Sequence, residues 1–385
     1  QGFDDKEDRT DEKLLAEAVE TAKKAKVAVI FAGLPDAFES EGFDREHMRM
    51  PECQNELISK VAAVQPNTIV VLHNGSPVEM PWVNEVKGIV EAYLGGQAVG
   101  GAVCDILFGR VNPSAKLPES FPLKLEDNPS FLFYIGEKDK VEYREGIFVG
   151  YRYYDKKKMD VLFPFGHGLS YTTYEYANLT TDKDQMKDTD VMTVSVDVTN
   201  TGNMAGKEVV QLYVADKEST VIRPLKELRG FEKVELAPGE TKTVTFTLDK
   251  RAFAYYSVKL QDWHVETGAF DIMIGRSSRD IVLTKEVTVE STVKIPFVYT
   301  TDTIMGDVLK DPRTREIVKD LLKLDIFGGE QGKAESSAAN EAISEGMSAA
   351  MAGFTPLRGA LSFGGDMNMA DIQEIVDKLN ALEEN

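Results

Sequence analysis

Lys26-Val27-Ala28-Val29-Ile30-Phe31-Ala32-Gly33 is a short run rich in β-branched residues, apolar on both alternating sets, and it reads as a buried strand. Before it, Leu14, Leu15, Ala18, Val19 and Ala22 recur at helical spacing. After a polar loop, Pro51 opens a second helix through Leu57, Ile58, Val61 and Val64. Pro66-Asn67 leads into a second strand, Thr68-Ile69-Val70-Val71-Leu72. A third is expected at Gly88-Ile89-Val90-Glu91-Ala92-Tyr93, with a helix from Gln97 to Phe108. Strands apolar on both faces and separated by helices predict a parallel α/β sheet over residues 1–122.

The character changes at Val111-Asn112-Pro113-Ser114-Ala115-Lys116-Leu117-Pro118. Residues 123–178 are rich in Pro, Gly and aromatics, too aromatic for a flexible linker, and are expected to pack on the domains they connect. Residues 179–290 alternate with period two, as in Val194/Val196/Val198 and Val244/Phe246/Leu248, with turn signals at Thr201-Gly202-Asn203 and Ala237-Pro238-Gly239. About seven such strands predict an immunoglobulin-like or fibronectin-like sandwich. Residues 291–385 read as a helical tail. One apolar set is Val308, Leu309, Ile317, Val318, Leu321 and Leu322, and another is Ile372, Ile375, Val376, Leu379 and Leu382. The Gly-, Ala- and Ser-rich stretch 328–353 between them is expected to be only partly ordered.

Across 385 residues, 44 Lys and Arg face 64 Asp and Glu, a net charge of −20. That balance argues against nucleic acid and anionic membrane surfaces as partners. No apolar run approaches the roughly 20 residues of a membrane span. Cys53 and Cys104 are too few for a disulfide framework, lack metal-site spacing and are expected to be buried thiols. Low cysteine use leans the localisation towards the cytoplasm, although a chain that opens at Gln1 is silent about a leader. His47, His73, His167 and His264 show no metal-ligand spacing, and His73 has no triad partner.

In an open α/β sheet, ligands bind on the loops at the carboxyl ends of the strands. The first such loop, Leu34 to Arg45, holds Asp36, Glu39, Glu41 and Asp44 together with Phe38, Phe43 and Gly42. From spacing alone it is either a solvated acidic loop or a mobile segment projecting a carboxylate. Asp44-Arg45 reads as a structural charge pair. Asn74-Gly75-Ser76-Pro77, after the second strand, could line a site, but an Asn-Gly turn explains it equally well.

Glu39-Ser40-Glu41-Gly42-Phe43-Asp44-Arg45-Glu46-His47-Met48-Arg49-Met50-Pro51 resembles the E-x-E-G-x-D-R segment of glycoside hydrolase family 3, the β-glucosidase family. The resemblance continues in order through Asn74 to Trp82, Gly95 to Gly100, Asp105 to Gly109, Asn112 to Pro118, Val149 to Asp155 and Phe165 to Tyr171. Asn200-Thr201-Gly202, Glu208 to Tyr213, Leu225 to Phe231 and Gly275 to Ser278 resemble the fibronectin type III-like domain that ends many of these enzymes. The tail around Pro356-Leu357-Arg358-Gly359-Ala360 looks like a helical appendage of some bacterial members.

The fold class implied is α/β plus all-β. An incomplete parallel-sheet α/β sandwich (1–122) and a connecting segment (123–178) precede a fibronectin type III-like β-sandwich (179–290) and a helical appendage (291–385). Members of this family begin with a barrel whose Ser-Asp-Trp segment supplies the nucleophilic aspartate. No Ser-Asp-Trp occurs here; Gln261-Asp262-Trp263 lies in the sandwich pattern and is a decoy. The chain therefore resembles the C-terminal half of such an enzyme. The implied reaction is retaining hydrolysis of a terminal β-linked glucose, with two carboxyls about 5–5.5 Å apart. The resemblance assigns the general acid/base to Glu41, with Glu39 as second choice. Phe38 and Phe43 are placed to stack on the leaving group.

The implied partners are a β-glucoside or oligosaccharide substrate and an N-terminal barrel, as domain or separate chain, carrying the nucleophile. A homodimer is compatible with this, and no cofactor or metal is implied. Two other readings stay open: a β-xylosidase or other β-glycosidase of the same family, and a non-catalytic carbohydrate-binding module.

Overall fold

Asp11 starts the first helix: its carboxylate accepts the backbone N–H groups of Lys13 and Leu14, satisfying donors the first turn leaves unpaired. The computed structural model describes residues 2–3, 8–318, 353–363 and 368–383. In it α1 (Glu12–Lys24) leads to β1 (Ala28–Gly33), α2 (Glu52–Ala62), β2 (Thr68–His73), β3 (Gly88–Glu91) and α3 (Val99–Leu107). Pro51, whose fixed φ suits a helix entrance, stands immediately before α2. The three strands are parallel in the order β1-β2-β3, with Gly33 opposite His73 and Leu72 opposite Glu91. Their carboxyl ends therefore lie along one edge, where the following loops gather.

The helices cover one face well. Ile30, Ala32, Val70 and Leu72 are buried in one cluster with Leu15, Ala22, Leu57, Ile58 and Val61. Trp82 is fully buried there, its indole N–H satisfied by Asn55 Oδ1 at 2.9 Å. On β1 the alternate set behaves differently: Val29 is 39 % and Phe31 53 % exposed. The sequence expectation of strands buried on both faces thus fails for β1, an edge strand whose second apolar set is left open. The expectation of two buried thiols also needs correction. Cys53 is buried on α2, but Cys104 is exposed on α3, a helix that buries only Val103.

From Pro118 onward the aromatic segment packs in part. Phe121 is buried between Tyr93 and Phe163, and the short helix α4 (Tyr151–Lys157) stacks Tyr151 on Phe165 at 4.9 Å. By contrast Leu132, Tyr134, Ile135 and Tyr143 project into solvent.

Ten strands follow: β4 (Tyr174–Thr181), β5 (Gln185–Lys187), β6 (Met192–Asn200), β7 (Gly206–Asp216), β8 (Glu227–Leu236), β9 (Thr241–Leu248), β10 (Tyr255–Ser257), β11 (Asp262–His264), β12 (Gly268–Gly275) and β13 (Ile281–Glu290). A one-turn helix, α5 (Lys250–Phe253), joins β9 to β10. Sheets β5-β13-β12-β7-β8 and β4-β6-β9 enclose a core in which the alternating residues of β6 are all buried. Seven of these strands are long, as the sequence pattern predicts; β5, β10 and β11 are three-residue additions. Asp262, the aspartate of the decoy string, sits exposed on β11.

Polar joints, among them those of Asn112 and Asp155, tie the α/β layer and connecting segment to this sandwich. Asn112 donates to Ala205 O and accepts from Ser170 and Tyr171, and Asp155 pairs with Lys226 at 2.9 Å and Arg279 at 2.8 Å.

Residues 293–385 form a unit of their own. Helices α6 (Met305–Val308), α7 (Pro312–Val318) and α8 (Met369–Glu383) bury Met305, Val308, Val318, Ile372, Val376 and Leu379 together with Leu357. Both apolar sets expected from the sequence contribute. Leu321, Leu322 and nearly all of the 328–353 stretch lie outside the described residues.

Candidate active site

The loop after β1 and the loop after β2 meet at the carboxyl edge of the sheet. Gly33, the last residue of β1, donates its N–H to Gln54 Oε1 on α2 at 2.8 Å, so the loop departs from a fixed point. Farther along, Met48 O accepts from Glu79 N at 2.9 Å, and both Met48 and Met50 are buried. Between these ends lie all four acids of the loop.

Glu39 turns inward. One carboxylate oxygen accepts the backbone N–H of Gly75 at 2.6 Å and the other accepts the Ser76 hydroxyl at 2.9 Å. Arg45 reaches the same place, donating through Nη1 to Ser76 Oγ at 2.6 Å and to Pro77 O at 3.2 Å, and lies 3.9 Å from Glu39. Asn74-Gly75-Ser76-Pro77 thus receives two side chains of the acidic loop. The expected Asp44–Arg45 pair is not formed. Adjacent side chains leave an open chain segment in different directions, so Asp44 instead accepts a hydrogen bond from Tyr134.

Glu41 behaves unlike Glu39. It is exposed, and among the described residues no hydrogen bond or ion pair holds its carboxylate. Gly42 beside it has φ +99°, a conformation that glycine adopts at no steric cost, and nothing stands within 4 Å of where its Cβ would be. Phe43 is 51 % exposed. Phe38, by contrast, packs edge-on to His47 at 6.0 Å and lines a cavity of about 260 Å³ with Phe31, Cys53 and His73. The structure therefore groups Glu41 with Phe43 at the tip and sets Glu39 and Phe38 behind it.

A second carboxylate group lies beneath this edge. Glu91, at the end of β3, accepts from Tyr93 N at 3.0 Å and Asn74 Nδ2 at 3.4 Å. Burial pushes its carboxyl up to about 7 despite those two donors. Tyr93, held at φ +46°, donates its hydroxyl to Glu119 at 3.2 Å, and burial raises Glu119 as well. Asn74 is fully buried and also donates to Ser76 O at 2.9 Å, linking this group to the receptor loop. The sequence signal of Glu91 was an acid inside the expected strand Gly88–Tyr93, which ends at Glu91 in the structure. A cavity of about 440 Å³ opens between Arg45, His47, Ser76, Glu119, Ser130 and Glu145. No group of three or more His, Cys, Asp or Glu with metal-binding geometry occurs among the described residues.

Chemically, the edge offers one free carboxylate on a glycine-hinged tip, a neighbouring aromatic ring, and a rigid polar floor. A free carboxyl of this kind can exchange a proton with a bound molecule.

Comparison with known proteins adds the following. Residues 4–171 match the glycosyl hydrolase family 3 C-terminal domain, and residues 208–278 match the fibronectin type III-like domain. The chain is 54 % identical over 384 residues to thermostable beta-glucosidase B of Acetivibrio thermocellus, covering all of this chain and 50 % of that protein. It is 50 % identical over 281 residues to an exo-alpha-(1->6)-L-arabinopyranosidase of Bifidobacterium breve, covering 73 % of this chain and 37 % of the relative. The crystal structure of a Bifidobacterium adolescentis GH3 beta-glucosidase superposes with a TM-score of 0.76 at 45 % identity, over 82 % of this chain and 47 % of that one. The chain thus spans about half the length of the curated relative it matches from end to end.

Proposed function

The chain belongs to glycosyl hydrolase family 3, matching the C-terminal half of its members, and on that premise we propose that it is the acid/base-bearing half of a retaining exo-β-glucosidase. The other half is a barrel carrying the nucleophilic aspartate. One observation carries the reading: in the loop bearing four acids, Glu41 alone combines exposure, no side-chain partner among the described residues and a glycine next to it.

In the first step the barrel aspartate attacks the anomeric carbon while the Glu41 carboxyl gives its proton to the departing glycosidic oxygen. In the second, the Glu41 carboxylate takes a proton from the water that attacks the glycosyl–enzyme bond. Phe43 offers its ring to the leaving group. The glycone is gripped by the barrel, so this chain presents the same acid/base to whichever sugar the barrel selects. A second sugar reading, another pyranoside in place of glucose, draws support from the 50 % identical arabinopyranosidase.

The test is Glu41→Gln in the assembled enzyme with cellobiose as substrate. Its poor alkoxide leaving group needs the proton, so kcat should fall by about 10²–10⁴-fold. Full activity on cellobiose would contradict the assignment.

A further inference from the structure

Residues 40–44 are suspended between two side chains that grip the same short loop. On the near side, Glu39 accepts from Gly75 N at 2.6 Å and Ser76 Oγ at 2.9 Å. On the far side, Arg45 donates to Ser76 Oγ at 2.6 Å and Pro77 O at 3.2 Å. The Glu39 and Arg45 side chains are only 24 % and 17 % exposed, whereas Ser40, Glu41, Gly42, Phe43 and Asp44 are all exposed. The ends of the span are thus fixed on Gly75–Pro77, and between them Asp44 accepts from the exposed Tyr134 while Glu41 has no hydrogen bond or ion pair among the described residues. Gly75 fits this arrangement closely, since a Cβ there would stand 3.0 Å from Glu39 Oε1. Behind Ser76, Asn74 is fully buried and ties the loop to Glu91.

We propose that Glu39 and Arg45 are positioning residues that hold residues 40–44 as an arch with Glu41 at its crown. The inference rests on the acid/base role given to Glu41 and extends it. Pinning both ends of a five-residue span removes most of the loop's freedom before substrate arrives, which is what orientation of an acid requires. The arch still leaves one free torsional hinge at Gly42, next to the carboxyl that must move between two proton-transfer steps. Glu39 is hydrogen-bonded through both carboxylate oxygens to the Gly75–Ser76 loop and serves the geometry.

Two measurements test this. In the chain itself, trypsin cleavage at the Arg45–Glu46 bond reports whether the far anchor is held. Glu39→Ala and Ser76→Ala should accelerate that cleavage by about tenfold or more, in step with local opening; Glu41→Ala should leave it unchanged. In the assembled enzyme, Glu39→Ala should lower kcat on an alkyl glucoside by about 10–100-fold with little change in KM, and should lower kcat on a dinitrophenyl glucoside much less. Glu39→Gln, which keeps the shape and one acceptor, should recover part of the loss. Adding Glu39→Ala to Glu41→Gln should cost nothing further, because both act through one proton.

Unchanged trypsin cleavage in Glu39→Ala, or equal and additive losses on both leaving groups, would overturn the proposal while leaving the role of Glu41 intact. Full activity of Glu41→Gln would overturn that role and the positioning argument together.

Discussion

The Glu39 carboxylate lies 2.6 Å from the backbone nitrogen of Gly75, joining loops that are 36 positions apart in sequence. A methyl group at residue 75 would enter the space that carboxylate fills, 3.0 Å from one oxygen and 3.2 Å from the other. Gly75→Ala should therefore push Glu39 off its donors while leaving the buried core untouched. Urea denaturation should register less than about 1 kcal/mol, while kcat on alkyl glucosides falls in the assembled enzyme. A large loss of stability with unchanged kcat would contradict this.

Glu91 makes stability depend on pH. Its folded-state carboxyl is raised by burial to about 7, above the roughly 4.3 of an unfolded chain. The folded state therefore binds its proton more tightly, and stability falls as pH rises from about 4.3 through 7. The fall is on the order of 3 kcal/mol across that window. Glu119 and Glu39 bear on the same carboxyl, so the comparison is with Glu91→Gln, which keeps the shape and one acceptor oxygen for Tyr93 N or Asn74 Nδ2 and should lose this component of the slope. Parallel wild-type and Glu91→Gln curves in urea titrations at pH 5 and 7.5 would rule it out.

Asp155 holds the aromatic segment to the β-sandwich. Its side chain is 7 % exposed, between Lys226 at 2.9 Å and Arg279 at 2.8 Å. Truncation leaves two cations facing a buried gap, so Asp155→Ala should destabilise by about 2–4 kcal/mol, moderated by the partial exposure of Arg279. Thermal melts should show it as a shift of several degrees. Asp155→Asn, which keeps one acceptor, should lie between.

Val29 and Phe31 give β1 an open apolar set on an edge strand, a combination that templates association. Gel filtration of residues 1–385 alone should show concentration-dependent self-association. Phe31→Lys should weaken it without loss of the far-ultraviolet circular dichroism signal. A monomer at all concentrations would contradict this.

The α/β layer was legible because its signals are local. The run from Lys26 to Gly33 and Pro51 before Leu57 place β1 and α2 to within two residues. Period-two apolar residues likewise mark β6 and β9. What escaped the sequence was contact between distant loops. Nothing in Asn74-Gly75-Ser76 announces that Glu39 will dock there, and neighbouring numbers wrongly suggested that Asp44 would pair with Arg45. Glu91 stood inside the expected strand Gly88–Tyr93 with nothing to mark it, since its surroundings involve Tyr93 and Asn74, the latter from another loop. Cys104 misled because an apolar helix is presumed covered, and α3 covers only one residue. The free tip at Glu41 was legible as a motif, but its isolation from side-chain partners was not.

The most direct test of the central claim is rescue of Glu41→Ala by azide, in the assembled enzyme with a dinitrophenyl glucoside. That leaving group departs without a proton, so the glycosyl–enzyme intermediate accumulates and waits for a base that is no longer there. Azide needs no base. Turnover should rise with azide concentration, and the product should be β-glucosyl azide, identifiable by its anomeric proton coupling. Absence of both acceleration and glucosyl azide, with cellobiose still hydrolysed at the wild-type rate, would show that the proton comes from another residue.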